Sequence, residues 1–448
     1  MAGKKTALTA EEKLAQALVP QEEWPYELPK GWVWTRVECI AIKISDGSHN
    51  PPQNSFSGIP LLSAANVYNN KIHFDETNRW ITNEQWVEEN KRTNIEKNDV
   101  LLTIVGTLGR TAVVESAARF ALQRSVAVIK PKFDAGYLSY YLSSPFVQTF
   151  MLNNAKGTAQ KGFYLNKVAK IKCPLPPLPE QQRIVDKIQS LFARLDEARD
   201  KLQQVLEGTE ARRAAILHEA FSGEWGTGDS EEGRVQSEDG AQEADGTVSV
   251  PEEWKKITLG DAYDLKAGKN IKAKEIYEKK DVHHPYPCYG GNGIRGYVQS
   301  FNREGLHPII GRQGALCGNV NMADGEFYAT EHAVVVTNKI PSNAVWTYYY
   351  LTYLNLNQYA TSTAQPGLAV SNLNKIWIIL PPLEVQQKVA EKLVSLYKKE
   401  DAAQKACESA LAQIDLLKKA ILARAFRGEL GTGDPNDPSA LDLLEQSL

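Results

Sequence analysis

The sequence predicts a mixed α/β protein made of two similar halves, each a globular head followed by one long helix. Three observations carry that prediction. Residues 175–229 and 380–434 align without a gap at an offset of 205 and share 23 identities over 55 positions. Apolar residues in both copies recur in alternating steps of four and three, the spacing of a coiled-coil seam. The segments before them instead show short β-rich runs separated by glycine turns, such as DVLLTIV (99–105), TAVV (111–114) and SVAVIKP (125–131).

The elements follow in order. LTAEEKLAQALV (8–19) reads as a short helix with Thr9 as N-cap and Glu12 at the capping-box spacing, ended by the prolines at 20, 25 and 29. The first head runs over 29–173, with short helices expected at 83–91 and 136–153. PLPPLPEQQ (174–182) imposes an extended exit and starts a helix near Pro179 that continues to about Phe221. Its seam is Ile184, Ile188, Leu191, Leu195, Ala198, Leu202, Val205, Thr209, Arg212 and Ile216. The second copy gives Val389, Leu393, Leu396, Glu400, Ala403, Cys407, Ala410, Ile414, Leu417 and Ile421. Each helix would span about 65 Å at 1.5 Å per residue. The simplest partner for each seam is the other copy, packed as an antiparallel coiled coil with pseudo-two-fold internal symmetry. Thr209, Arg212 and Glu400 are imperfect seam residues and leave room for a partner protein.

These readings divide the chain into an N-terminal helical extension (1–28), a first head (29–173), a first spacer helix (174–223), an acidic linker (224–250), a second head (251–378), a second spacer helix (379–428) and a tail (429–448). The linker is glycine-rich and almost without bulky apolar residues, the composition of a flexible segment. The tail, GTGDPNDPSALDLLEQSL, looks similar, with a short helix expected at its end.

The heads repeat more faintly. PKGW (29–32) matches PEEW (251–254), and Gly106 falls opposite Gly314 at an offset of 208. At that offset FALQRSVAV (120–128) lies over YATEHAVVV (328–336), and TAQKG (158–162) lies over TAQPG (363–367) at 205. Between these anchors the heads diverge: HNPPQNSFSGIPLLSAANVYNN has no close counterpart in KDVHHPYPCYGGNGIRGY. The two heads should therefore read different things.

Charge points to the ligand. The chain has a formal net charge of −3, yet residues 29–172 carry +7 and 251–377 carry +2, while the linker 224–250 carries −7. Local charge decides whether a surface attracts phosphates. Five scattered cysteines with no CxxC pair argue against structural zinc or a disulfide framework and suggest a reducing cytoplasm. No apolar run approaches a membrane span, and the first 19 residues lack the apolar core of a secretory signal. There is no GxxxxGK[ST] or HExxH motif. Asn50-Pro51-Pro52-Gln53 resembles an adenine-methyltransferase tetrapeptide, but Gln53 cannot stack on a flipped base and no companion cofactor motif accompanies it. His283 and His284 have no companion metal ligands in sequence and read as a loop. No catalytic residue, cofactor site or metal site is expected.

The DNA-contact candidates lie in polar, glycine-rich loops. In the first head they are Ser48, His49, Asn50, Asn66, Thr107, Arg110, Arg124, Lys156, Gln160 and Lys161. In the second they are Lys269, Asn270, Lys272, Asn292, Arg295, Arg312, Gln313 and Gln365. Asn, Gln and Arg are the side chains that read base edges bidentately, and glycines let the backbone approach a ligand.

Taken together, PKGW, DGSHNPP, IPLLSAANV, NDVLLTIVGTLGRTAVV, TAQKGFYLNKVAKIKCPLPPLPEQQRIV, YPCYGGNGIRGYV and TAQPGLAVSNLNKIWIILPPLEVQQKVA resemble the specificity subunit of type I restriction-modification systems over nearly the whole chain. The resemblance implies two target-recognition domains, each reading one half of a split site in double-stranded DNA, with long helices as a ruler between them. It implies no catalytic activity in this chain. The partners it implies are two adenine-N6 methyltransferase subunits and ATP-driven restriction subunits, to which S-adenosylmethionine and ATP belong. One departure from the motif stands out: Pro179 and Glu180 are replaced by Glu384 and Val385 in the second copy. Two rival readings share much of this pattern. One is a recognition subunit for a fused methyltransferase-nuclease; the other is a helical scaffold that binds no DNA.

Overall fold

The computed structural model describes residues 9–157, 161–222, 225, 254–314, 316–361 and 367–448. The acidic linker, apart from Trp225, lies outside the described residues. The chain forms two compact units, one from 1–202 with 409–448 and one from 203–408.

The first unit is organised around a four-stranded sheet in the order Ala41–Asp46, Val126–Pro131, Val100–Thr103, Thr111–Val113, all neighbours antiparallel. The run Val126–Ile129 is buried on both faces, as a central strand of branched residues requires. Helix Ala135–Leu142 covers one face, and Tyr137 and Tyr141 fill the core beneath it. The single helix expected over 136–153 is two, Ala135–Leu142 and Pro145–Asn154, because Ser144 caps the second through Val147 N and Pro145 takes its first turn. A smaller sheet (Ile59–Leu62, Trp80–Ile81, Ala121–Leu122) carries helix Asn83–Thr93 beside it. The N-terminal helix, Ala10–Ala17, starts at Thr9 with the expected capping box to Glu12.

The second unit repeats this frame. Its main sheet runs Tyr263–Ala267, Ala333–Asn338, His307–Gly311, Val320–Ala323, with helix Ala344–Tyr353 on its face. Its second sheet pairs Tyr286–Gly290 in parallel with Glu326–Ala329, as Ile59–Leu62 pairs in parallel with Ala121–Leu122. The apparently unmatched IPLL and YPCYG segments are therefore counterparts. Only the pattern of a half-buried strand is shared, not the side chains, which hides the match from a sequence alignment.

The repeated LPPLxxQQ segment is explained by its first glutamine. Gln181 is fully buried; its Oε1 accepts from Asp134 N at 3.2 Å and its Nε2 donates to Pro176 O at 3.0 Å. Gln386 does the same with Asn343 N at 2.9 Å and Pro381 O at 2.8 Å. Asp134 and Asn343 are the N-caps of the helices lying on the two main sheets. In each unit one amide thus ties the start of a long helix to its head.

The first long helix is two segments, Leu178–Glu207 and Thr209–Phe221, parted at Gly208; the second is one helix, Leu383–Ala425. Within the first unit, Arg199 pairs with Asp415 and Lys418 with Asp196 at 2.5 Å. Residue numbers rise in one helix as they fall in the other, so the segments run antiparallel. In the second unit Arg212 meets Glu400 at 3.1 Å and Arg213 meets Asp401 at 2.5 Å. Arg212 also donates to Thr209 Oγ1 at 3.2 Å. The three imperfect seam residues therefore satisfy one another and need no outside partner. Ile184, Ile188, Val389, Leu393 and Ile414 are buried, whereas Val205 and Leu417 are 41 % and 50 % exposed.

The tail differs from the expectation of a linker-like segment. Residues 439–448 cap the first unit: helix Ala440–Ser447 places Ala440 and Leu444 in its core, and Ala440 N donates to Gly31 O at 3.0 Å. Upstream, Glu180, 4 % exposed, accepts from Trp32 Nε1 at 2.8 Å and from Thr432 Oγ1 at 3.1 Å. Arg183 is paired with Asp437 and donates to Thr432 O at 2.7 Å. Val385, which replaces Glu180 in the second copy, can accept no such bonds. The departure in the repeated motif is therefore the acceptor that fastens the tail.

Candidate DNA interface

Strand direction gathers the candidate residues. In the first head, strands Ala41–Asp46 and Val100–Thr103 end where Thr111–Val113 and Val126–Pro131 begin, so the loops 47–50, 104–110 and 123–125 share one end of the main sheet. A bridge between Val105 and Gly162, and Gly106 N donating to Lys161 O at 3.0 Å, bring the 156–162 loop to the same end.

Arg110, Arg124, His49, Asn50, Thr107, Lys156 and Lys161 are all exposed there. Arg110 lies over the Tyr68 ring, 5.8 Å from its centroid, which holds the guanidinium out from the loop. Gly106 and Gly109 have φ of 80° and 82°, values that glycine adopts without strain, and they make the tight GTLGR turn. Gln148 Nε2 donates to Gly109 O at 2.9 Å and fixes the turn from below.

Two candidates serve the loops instead of facing outward. Ser48 is 7 % exposed and donates to Glu89 Oε1 at 3.1 Å. Asn66, 5 % exposed, accepts from Ser63 N at 3.0 Å and donates to His73 O at 3.2 Å, closing its own turn. Beside them, buried Asp46 binds the Arg92 guanidinium and His49 Nε2 at 2.9 Å, bracing both side chains at the rim.

The second head uses the same end of its sheet. Lys269 and Asn270 follow strand Tyr263–Ala267; Arg312 and Gln313 follow His307–Gly311. Asn292 sits in the turn before Gly293–Val298 and accepts from Asn319 Nδ2 at 2.9 Å. Gln313 bridges to Gly367, and Leu368 N donates to Arg312 O at 2.8 Å, as Phe163 N donates to Ile104 O at 2.7 Å in the first head. Arg295 is exposed and its aliphatic part packs against Gly290, whereas Lys272 lies farther along the loop. Gln160 and Gln365 lie outside the described residues.

His284 is settled by its neighbours: Nδ1 pairs with Asp281 Oδ1 at 2.9 Å, its ring stacks on Tyr277, and the imidazole holds the Asp281 carboxyl below its ordinary range. Beneath the loops, burial pushes the Cys288 thiol up to about 11. Among the described residues no group of three or more His, Cys, Asp or Glu is placed to hold a metal ion, and no helix is long and apolar enough to cross a membrane.

The sequence missed Asn321, Thr330, Glu331 and His332 in the second head. Their position follows from the fold, since the 329–333 turn reaches the sheet end only through the parallel pairing of Glu326–Ala329.

Two heads share one frame, each fastened to its own long helix and each with a differently furnished loop end. The chain matches the type I restriction modification DNA specificity domain over residues 51–207 and 251–409, and it belongs to that family, whose members are specificity subunits without catalytic activity. It is 51 % identical to the EcoprrI specificity subunit of Escherichia coli over 138 residues, covering 31 % of this chain and 34 % of that one. It is 29 % identical to the Escherichia coli EcoBI specificity subunit, covering 48 % and 47 %. These two alignments thus span about a third and about half of the relatives' lengths. The EcoKI specificity subunit of Escherichia coli strain K12 aligns over 90 % of both chains at 22 % identity. A solved chain from a type I restriction-modification assembly shares the fold at a TM-score of 0.67, with 21 % identity, covering 91 % of this chain and all of that one. The HsdS subunit of Thermoanaerobacter tengcongensis does so at 0.59, with 20 % identity, covering 92 % and 100 %.

Proposed function

We propose that this chain is the DNA-recognition subunit of a type I restriction-modification complex, in which each head reads one half of an asymmetric, bipartite site in double-stranded DNA. The observation that carries this reading is the pair of equivalent sheet ends with unequal chemistry. One presents Arg110, Arg124, Lys156 and Lys161; the other presents Lys269, Asn270, Arg295, Arg312 and Gln313. Basic side chains bind phosphates and set position, while Arg, Asn and Gln discriminate base edges. Unlike heads give unlike half-sites, and the long helices set the gap between them.

The chain itself carries no reaction. It recruits two adenine-N6 methyltransferase subunits, which bring S-adenosylmethionine, and restriction subunits, which bring ATP. Relatives are specificity subunits, and one solved structure concerns assembly of a type I system, which supports this partnership.

The test is sequencing of N6-methyladenine in cells with and without this gene. A bipartite, asymmetric methylated motif that disappears on deletion is expected and would supply both half-sites and the gap. A methylome that does not change would overturn the reading.

A further inference from the structure

Backbone hydrogen bonds correct the alignment of the two heads at the turn that enters the central strand. Val126 N donates to Gln123 O, as Ala333 N donates to Thr330 O. Ile104 N donates to Ser125 O, as Arg312 N donates to His332 O. A Cβ on Gly47 would meet Leu122 O at 2.1 Å, and one on Gly268 would meet Ala329 O at 2.0 Å. The offset here is therefore 207, not 208. Arg124 of the first head coincides with Glu331 of the second and Ser125 with His332, while Ile104 and Arg312 keep the offset of 208. One backbone position at the end of each sheet carries a cation in one head and a carboxylate in the other.

The surroundings of Glu331 have a second distinctive property. Seven buried side-chain polar atoms lack a hydrogen-bond partner among the described residues, and five of them belong to this loop end: Arg312 Nε, Asn321 Nδ2, Thr330 Oγ1, Glu331 Oε2 and His332 Nδ1. Buried polar groups are normally paired, so such a cluster marks a surface completed by something else. Glu331 touches Asn270 Nδ2 and His332 Nε2 only at 3.3 Å each, and its side chain is 33 % exposed. Turning its carboxylate toward a ligand breaks no strong bond.

We propose that this shared position is specificity-determining, and that Glu331 reads the exocyclic amino group of a cytosine in the second half-site. His332 Nε2 and Asn270 Nδ2, each 3.3 Å from Glu331 Oε1, position the carboxylate. Arg124 presents donors at the corresponding place in the first half-site. A carboxylate only accepts hydrogen bonds and pairs with the cytosine N4 amino group; a guanidinium only donates and pairs with guanine O6 and N7. The inference rests on the DNA-reading function proposed above.

The test expresses the wild-type chain, Glu331→Gln, Glu331→Arg and Arg124→Ala with the full set of partner subunits, and compares methylated motifs and melting temperatures. Discrimination at one G·C position of the second half-site should fall about tenfold or more in both Glu331 variants, with the first half-site unchanged. Arg124→Ala should relax only the first half-site. Motifs identical to wild type in both Glu331 variants would overturn the assignment while leaving the bipartite reading intact. Methylation lost at all sites together with a lowered melting temperature would mark Glu331 as structural and also overturn it. A wild-type chain that yields no bipartite motif would instead remove the functional reading beneath it.

Discussion

Glu180 concentrates much of the first unit's closure in one carboxylate, since both its donors, Trp32 Nε1 and Thr432 Oγ1, are buried with it. Glu180→Ala strands both donors and should cost about 2–3 kcal/mol, measurable by urea unfolding. Val385→Ala at the equivalent place of the second unit removes no hydrogen bond and should cost less. Cysteine chemistry tests burial directly. Cys173, Cys288 and Cys317 are buried, with Cys288 held near 11, while Cys39 and Cys407 are half-buried. A thiol reagent at pH 8 should therefore titrate two of the five quickly and the other three only on unfolding. At this scale the sequence was legible in type but not in role. Gln181 and Gln386 stand out as a repeated QQ, yet that they cap Asp134 and Asn343 requires knowing which helix lies on which sheet. Glu331 was not legible at all, because an unpaired atom is a property of packing.

The long helices show the opposite balance. The alternation of four and three steps through Ile184 to Ile216 and Val389 to Ile421 gave both helices and their amphipathic seams from sequence alone. What it could not give was how the polar interruptions resolve, since Arg212 and Glu400 lie 188 positions apart. Their pairing is only partly exposed, with Glu400 at 19 %. Arg212→Ala leaves that carboxylate without its partner and should destabilise the second unit by about 1–3 kcal/mol. Replacing both residues by leucine should bring stability back to within about 1 kcal/mol of wild type, because apolar packing substitutes well for a partly buried ion pair. Denaturant titration of the two variants beside wild type decides this: a double mutant as weak as the single would show that the pair contributes charge and hydrogen bonding that apolar packing does not replace. The break in the first helix at Gly208 was missed by a reading that ran one helix to about Phe221, and the division of 136–153 at Ser144-Pro145 needed proline read as a helix start and not only as an interruption.

At the level of the molecule, the proposed ruler makes a length prediction. Removing four residues from both 184–216 and 389–421 should alter the gap in the methylated motif and leave each half-site as it was. An unchanged gap with altered half-sites would sink the ruler. Binding of the assembled complex to its site should also weaken steeply with salt, in proportion to the phosphates neutralised. The two-headed plan was visible in the repeat at offset 205. The second head's divergent loops hid the equivalence of IPLL with YPCYG and displaced the alignment by one residue, because backbone geometry is shared there and side chains are not.

The closing of the tail on the first unit has a bearing on how the protein is made. The second unit draws on one unbroken stretch, 203–408, whereas the first needs Phe426, Ala440 and Leu444 to finish a core begun at Ala17. A ribosome adding on the order of 5–20 residues per second has released the second unit whole before the first has all its parts. The head translated first is thus completed last. A chain cut short before residue 430 should carry a protease-resistant second unit and a protease-sensitive first one, so that only full-length products offer two finished heads to their partners.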